Sequence, residues 1–201
     1  MRLIALSETY QRSNEVLLEN APDRRFYTRF YPRRMMAEVL LDAVAQITEV
    51  PDEFTLIGNI GMDTRKTDEY AKGTRALQLF DAAVYSPFLA TFGRNPRAIV
   101  CECERSNTPT MVQALHLHNG DTINHRLQSE HGWVSRVLRG KPQEEEIVRQ
   151  AYWRVLSRPP SEPELARWRD VLQSSSGVPT QELAEDVYWS LMSSREFLFQ
   201  H

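Results

Sequence analysis

The sequence predicts a mainly α-helical fold: a multi-helix domain with a short extended segment, long irregular loops and a C-terminal three-helix subdomain. Two observations carry this prediction. Apolar residues recur at the spacing of a buried helix face over residues 33–50, and again in three stretches after residue 142. Prolines, serines and acidic residues then mark where the C-terminal stretches begin and end.

The N-terminal part of the chain begins with two predicted helices. Residues 1–8 have the pattern of an amphipathic helix start. A longer helix is predicted over residues 33–50. Its buried face consists of Met35, Met36, Val39, Leu40, Ala43, Val44 and Ile47. Arg34, Glu38 and Asp42 fall together on another face of the same helix.

The next region has no sustained period. Glycines and polar residues interrupt residues 51–73, which we predict to be irregular and the best candidate for a mobile loop. A short extended segment is expected at residues 54–57 and a short strand at residues 75–80. Residues 86–92 predict a helical turn, which Gly93 closes.

Two short helices are predicted after the central segment. Thr108 followed by Pro109 fits an N-cap and a first-turn proline, so residues 110–118 are expected to be helical. Asn119 and the glycine after it end this helix. Asp121 can then cap the next one.

The last sixty residues have the clearest helix signals. Acidic residues at 144–146 suit the positive end of a helix dipole, and Arg158 in the last turn suits its negative end. Residues 161–164, Ser-Glu-Pro-Glu, read as a capping box for a second helix. A third helix is predicted to start at Pro179.

Length and composition bound the class of protein. At 201 residues, 41% hydrophobic and 25% charged, the chain can form one large domain or two small ones. We predict a helical region with a central Cys/His segment at 1–141 and a helical subdomain at 142–201, unless the two form one continuous domain. A net charge of −3 gives no electrostatic argument for a nucleic-acid partner. No apolar run approaches the roughly twenty residues of a membrane span, so no membrane insertion is expected.

A metal site is one hypothesis for the central segment. Cys101 and Cys103 would point to the same side of an extended chain. The candidates for a further ligand are His116, His118, His125 and His131, of which we take His116 for the site. Structural zinc usually has four ligands, so this set is incomplete. The competing interpretation is that both thiols are buried as small apolar groups, and a strained disulfide with a redox role is a third.

The same segment contains a polar cluster of structural or functional interest. It consists of Arg94, Glu102, Glu104, Arg105, Asn119 and Asp121. Its acidic residues can form half of an acid/base pair, but an ion-pair network is the simpler interpretation.

Arginine and aromatic residues supply two other candidate surfaces. Residues 24–34 interleave five arginines with four aromatics, a composition that can bind phosphates or stack bases. On an acidic chain we expect the arginines to pair with Glu38 or Asp42 and the rings to enter the core. The four tryptophans, Trp133, Trp153, Trp168 and Trp189, would form a carbohydrate platform if exposed, although core packing is favoured.

Several ordered stretches resemble one family, the planctomycete-specific C-terminal domain of unknown function called PSD. Among them are Cys101-Glu102-Cys103-Glu104-Arg105 and Leu156-Ser157-Arg158-Pro159-Pro160. The others lie at residues 3–13, 33–43, 73–76, 92–94, 113–116 and 194–199. The resemblance implies a module of larger exported or periplasmic proteins of the cell envelope, sometimes preceded by a cytochrome-c-like or carbohydrate-binding-type domain. It implies no established reaction or cofactor.

These observations lead to three functional hypotheses. We expect a C-terminal fragment of a larger protein that serves as a non-catalytic structural or interaction module, with the missing N-terminal domains as partners. The second hypothesis is a metal- or thiol-dependent enzyme or redox module centred on Cys101, Cys103 and His116. The third is a carbohydrate-contacting module, which requires surface tryptophans.

Overall fold

The computed structural model describes residues 1–21, 25–58, 63–80, 83–95, 110–119, 121–174 and 178–200. In chain order, the helices are α1 (Arg2–Ala5), α2 (Ala37–Thr48), α3 (Pro87–Thr91), α4 (Met111–Asn119), α5 (Asp121–Leu127), α6 (Trp133–Arg139), α7 (Glu144–Leu156), α8 (Glu162–Ser174), α9 (Thr180–Met192) and α10 (Arg195–Leu198). The strands are β1 (Arg33–Arg34), β2 (Leu56–Ile57), β3 (Arg65–Lys66) and β4 (Phe199–Gln200). The mainly α, multi-helix fold is therefore confirmed.

Helices α2, α7 and α9 form the centre of the molecule. Leu40 and Val44 of α2, Val148 of α7, and Val187 and Met192 of α9 are all 0% exposed. Helix α9 packs against α7, α5 and α6, while α8 packs against α7. Burying one such side chain stabilises the fold by roughly 1.5–3 kcal/mol. A single apolar cluster runs from Ala37 to Phe197; the predicted boundary at residue 141 stays a prediction.

The three predicted C-terminal helices are present as α7, α8 and α9. Glu164 supplies one half of the predicted capping box, because its Oε2 accepts a 2.7 Å hydrogen bond from the Ser161 backbone N–H. Ser194 caps α10 by accepting from the Phe197 N–H at 3.2 Å.

The predicted helix over residues 33–50 begins four residues later than expected. Helix α2 starts at Ala37, while Arg33 and Arg34 form β1 and pair antiparallel with Gln200 and Phe199. The Met35 N–H continues this pairing by donating to the Leu198 carbonyl at 3.0 Å. Backbone groups that the helix would have used are thus satisfied by the end of the chain.

The strand predicted at residues 75–80 is wrong. Residues Ala76–Gln78 form a 3₁₀ turn instead. The cause is Asp42 on α2, whose carboxylate accepts from the backbone N–H groups of Ala76 at 2.6 Å and Leu77 at 3.3 Å. This contact caps the turn as an N-cap side chain would. The extended segment expected at residues 54–57 contains β2, which pairs with β3.

The N-terminal arm, residues 1–32, differs from the rest of the molecule. Among its described residues, the only helix is α1. This helix has four residues and is shorter than the amphipathic helix that the sequence predicts. None of its described residues is buried, and the first buried residue along the chain is Arg34. The expectation that its rings enter the core is wrong for Phe26 and Tyr27, which are 79% and 59% exposed. No helix in the described ranges is long and apolar enough to cross a membrane.

Candidate functional site

A pair of stacked rings organises the candidate site. Phe88 and Phe92 of the α3 turn stack at 4.3 Å with an interplanar angle of 15°. Ser86 caps the turn by accepting from the Leu89 N–H, and Gly93 closes it at φ +79°, as predicted. Polar side chains from β1 and α4 contact this turn or its rings, and an ion pair joins α2 to the residue after Gly93. We call them the polar core cluster: Arg34, Glu38, Arg94, Gln113 and His116.

Arg34 is the deepest cation of this cluster. It is 7% exposed. Its Nη2 donates to the Phe92 carbonyl at 2.8 Å, and its guanidinium carbon lies 5.4 Å from the centroid of the Phe92 ring. Such stacking suits a planar, weakly hydrated guanidinium. The structure therefore separates the three charged residues that the helix pattern grouped, since Arg34 and Glu38 are buried and Asp42 caps the 3₁₀ turn.

Glu38 and Arg94 form a buried ion pair within the polar core cluster. The Arg94 Nε lies 3.9 Å from Glu38 Oε1, and the two side chains are 10% and 11% exposed. Removing ions from water is costly, so removal of one partner from a buried pair destabilises the protein strongly. This pair contains the first of the predicted cluster residues, Arg94.

Gln113 attaches α4 to the ring pair. It is 6% exposed, and its Nε2 donates to the Thr91 carbonyl at 3.0 Å. Its Oε1 accepts from the Thr110 N–H, while Thr110 Oγ1 accepts from the Gln113 N–H, both at 3.3 Å. This capping box begins α4 at Met111. Sequence reasoning did not single out Gln113, although the Thr-x-x-Gln spacing could have indicated it.

His116 lies one turn further along α4, against the same rings. Its ring meets Phe88 and Phe92 edge-on, at centroid distances of 5.5 and 5.9 Å. Its Nε2 is 3.2 Å from Thr122 Oγ1 on α5. The structure therefore places one predicted site residue, His116, against the ring pair, and a second, Arg94, beside Glu38 just after Phe92 in the chain.

The remaining predicted site residues lie outside the described part of the chain. These are Cys101, Glu102, Cys103, Glu104 and Arg105, together with the side chains of Asn119 and Asp121. Helix α4 ends at Asn119 and α5 begins at Asp121, as expected. In the described ranges, no group of three His, Cys, Asp or Glu residues is arranged to hold a metal ion. The metal hypothesis for Cys101, Cys103 and His116 stays a prediction.

A second ionic cluster joins the C-terminal helices, and the sequence did not indicate its geometry. Arg158 donates to both carboxylate oxygens of Glu164, at 2.8 and 2.9 Å, and to both of Glu196, at 2.6 and 2.7 Å. These hydrogen bonds lower the pKa of Glu164 to about 2. Arg158 also lies over the Tyr152 ring at 5.4 Å. The cluster fixes α7, α8 and α10 relative to one another.

Trp133 is the centre of a third cluster of interacting side chains. Arg136 and Arg154 lie over its ring, at 4.7 and 4.1 Å, and both also bind the Glu49 carboxylate. The indole Nε1 donates to the Tyr188 hydroxyl at 2.7 Å. Burial raises the pKa of Tyr188 to about 12, so this hydroxyl stays protonated at neutral pH.

The tryptophans do not form the platform that the carbohydrate hypothesis required. Trp133, Trp168 and Trp189 are partly buried and pack against the core, as expected. Trp153 alone of the four is largely exposed, at 58%, which differs from the core packing expected for it.

The loop region 51–80 is attached beside a shallow cleft of about 510 Å³. Asp52 pairs with Arg126, which also donates to the Val50 carbonyl at 3.3 Å. Burial raises the pKa of Asp52, and Arg126 opposes this effect. Asp42, Glu49 and Asp52 line the cleft, and each has its own hydrogen-bonding partners. Nothing in this geometry singles out a catalytic acid.

The fold and the site together define a class of protein: a mainly helical module with a buried ionic cluster and no recognised catalytic constellation in its described residues. The profile of a family described as "Protein of unknown function (DUF1553)", PSD1, matches residues 1–172. The chain belongs to this family. No curated protein and no solved structure matches the chain.

Proposed function

We propose that this chain is a non-catalytic interaction module, and that its N-terminal arm binds an apolar face of an adjoining domain in a larger parent protein. The family resemblance supports an exported cell-envelope protein as the parent, with a cytochrome-c-like domain as one candidate partner. The single observation that carries the proposal is the exposure of the arm.

The arm exposes an unusual number of large apolar side chains. Ten of them lie between residues 1 and 27: Met1, Leu3, Ile4, Leu6, Tyr10, Val16, Leu17, Leu18, Phe26 and Tyr27, each at least 51% exposed. Single exposed apolar residues are ordinary on protein surfaces, but clusters of them mark interaction sites. The side chain of Leu18 is 97% exposed and is therefore hardly covered by the rest of this chain.

The arm has internal structure of its own. The Phe30 N–H donates to the Ser13 carbonyl at 2.9 Å, and Arg12 donates to the Tyr27 carbonyl. Tyr27 and Tyr31 meet edge-on with their centroids 6.3 Å apart. These contacts fold the arm back on itself without covering its apolar side chains. A partly ordered segment loses less conformational entropy on binding than a disordered one.

The charge of the arm favours an apolar partner. Residues 1–27 contain four arginines and four acidic residues, so their formal charges cancel. A balanced segment has no long-range attraction for an acidic or basic surface. Binding would therefore depend on the burial of apolar area.

The proposal is tested by titrating the adjoining domain, expressed separately, into this chain and measuring affinity by calorimetry. The arm variant replaces Leu3, Leu6, Leu17 and Leu18 with serine. The matched control replaces four exposed apolar residues outside the arm, Leu77, Met111, Val112 and Leu115, with serine. We expect the arm variant to bind about 100-fold or more weakly and the control to bind like wild type.

Two outcomes would contradict the proposal. Equal affinity of the arm variant and the wild type would remove the arm from the interface. A wild-type dimer that the arm variant abolishes would assign the arm to a second copy of this chain instead of the adjoining domain. Sedimentation equilibrium of each variant alone distinguishes the second outcome.

A further inference from the structure

A small polar cleft lies between α5 and α9, away from both the polar core cluster and the arm. Its volume is about 260 Å³. Six side chains line it: Asn124, Leu127, Gln128, Glu185, Asp186 and Trp189. The carbohydrate hypothesis required several exposed indoles together, whereas this cleft has one indole with polar groups around it.

Helix geometry explains why these residues meet. Asn124, Leu127 and Gln128 are spaced three and four residues apart, so they share one face of α5. Glu185 and Trp189 are likewise one turn apart on α9, with Asp186 beside them. The two helices pack against each other, and Leu127, 2% exposed, belongs to the core between them.

The cleft combines an aromatic side chain with several planar polar groups. The side chain of Trp189 packs partly against the core and also lines the cleft. The amides of Asn124 and Gln128 can both donate and accept hydrogen bonds, whereas the carboxylates of Glu185 and Asp186 only accept them. One Glu185 oxygen already accepts from Gln181 Nε2 at 2.5 Å. A carboxylate has further acceptor positions, so Glu185 can still bind a ligand hydroxyl.

We propose that this cleft binds one neutral sugar ring. A pyranose has an apolar C–H face that packs on an indole, and its rim hydroxyls match adjacent donors and acceptors. Pockets for drug-sized ligands are about 300–1,000 Å³, so this smaller cleft suits a single ring. The site is independent of the arm and of the function proposed for it.

The charge of the cleft specifies the class of sugar. Among its described lining residues there are two carboxylates and neither arginine nor lysine. An anionic ligand would meet like charges without a compensating cation. The site therefore selects neutral sugars against uronic acids.

The test uses the whole chain with D-glucose, D-galactose and N-acetyl-D-glucosamine as probes. Binding is measured by saturation-transfer difference NMR and tryptophan fluorescence. We expect saturable binding of at least one probe with a Kd of about 0.1–10 mM, as suits a ligand of so few atoms. Glucuronate should bind about tenfold or more weakly than glucose.

Variants locate the binding. Asp186→Ala is the principal variant because the residue is exposed and its loss leaves the core intact. We expect it to weaken binding about tenfold or more, since it removes a charged acceptor. Trp189→Phe should retain part of the affinity. Trp153→Ala is the matched control, because Trp153 is exposed but lies on α7 outside the cleft.

The proposal is overturned if no probe gives saturable binding up to about 100 mM, a concentration that would reveal even very weak ligands. It is also overturned if Asp186→Ala binds like wild type, or if Trp153→Ala loses binding to the same extent. Circular dichroism of each variant ensures that the comparison is made between folded chains.

Discussion

The N-terminal arm and the helical core contain similar apolar residues, but they use them in opposite ways. Leu18 in the arm is 97% exposed, whereas Leu40 in α2 is 0% exposed. The core residues lie on helix faces that pack against other helices, whereas the large apolar residues of the arm between residues 1 and 27 stay at least half exposed. This difference indicates that the stability of the protein resides in the helices, while the arm is available for contacts with other surfaces.

The largest expected effect comes from truncating the same side chain in both regions. Leu40→Ala should lower the free energy of unfolding by about 3–5 kcal/mol, because it leaves a cavity in the core. Leu18→Ala should change it by less than about 0.5 kcal/mol. Urea denaturation monitored by circular dichroism measures both. Similar losses for the two variants would mean that the arm is part of the cooperative core.

The polar core cluster allows a second comparison, between a buried and an exposed ion pair. Glu38→Gln removes the carboxylate that pairs with Arg94 in a buried place and should cost about 2–3 kcal/mol. Glu53→Gln is the control, because the side chains of Glu53 and Lys72 are 52% and 70% exposed. This control should cost less than about 1 kcal/mol. Equal small losses in urea denaturation would show that the buried pair does not stabilise the packing of α2 against α3 and the residues after it.

The C-terminal helices followed from local signals in the sequence. Acidic residues in the first turn of α7, the prolines after Arg158 and the Ser161/Glu164 box each lie within a few residues of the helix end that they specify. Such signals are independent of the rest of the fold. Because these signals are local, the sequence predicts α7, α8 and α9 correctly.

Two of the differences from the predictions come from contacts between residues far apart in sequence. Arg34 is buried because it bonds to Phe92, which is 58 residues away. Residues 76–78 turn because Asp42, 34 residues before Ala76, caps them. Helical periodicity cannot show which charged residue will find such a partner. For the same reason the sequence indicated Arg94 and His116 as site residues, but neither the pairing of Arg94 with Glu38 nor the contact of His116 with Phe92.

The third prediction concerns the acid sensitivity of the ion pair between Arg158 and Glu164. The pKa of Glu164 is lowered in the folded protein from 4.5 to about 2, so its ion pair with Arg158 stabilises the fold above about pH 4.5. This contribution is lost as the pH falls through that range towards 2. Glu164→Gln should cost about 1 kcal/mol at pH 7, allowing for screening by solvent.

The difference between the wild type and Glu164→Gln should shrink in urea titrations at successively lower pH. A constant difference from pH 7 to about pH 2.5 would contradict the lowered pKa.

The smallest expected effect concerns two helix ends with left-handed backbone. Ser157 ends α7 at φ 56° and Glu49 ends α2 at φ 57°. Ser157→Gly should stabilise the protein by about 0.5 kcal/mol, because glycine relieves strain but adds entropy to the unfolded chain. Glu49→Gly should not stabilise it, because it removes the ion pairs with Arg136 and Arg154. Thermal unfolding of both variants measures this difference.

The proposed function requires that the arm is exposed to solvent in the isolated chain and that its partner covers it. Hydrogen–deuterium exchange with mass spectrometry, without and with the adjoining domain, tests it most directly. In the chain without its partner, we expect fast exchange of arm peptides and slow exchange of α7 and α9. On binding, we expect new protection that is confined mainly to the arm. Arm peptides that are already as protected as α7 in the isolated chain, or binding that protects other regions only, would contradict it.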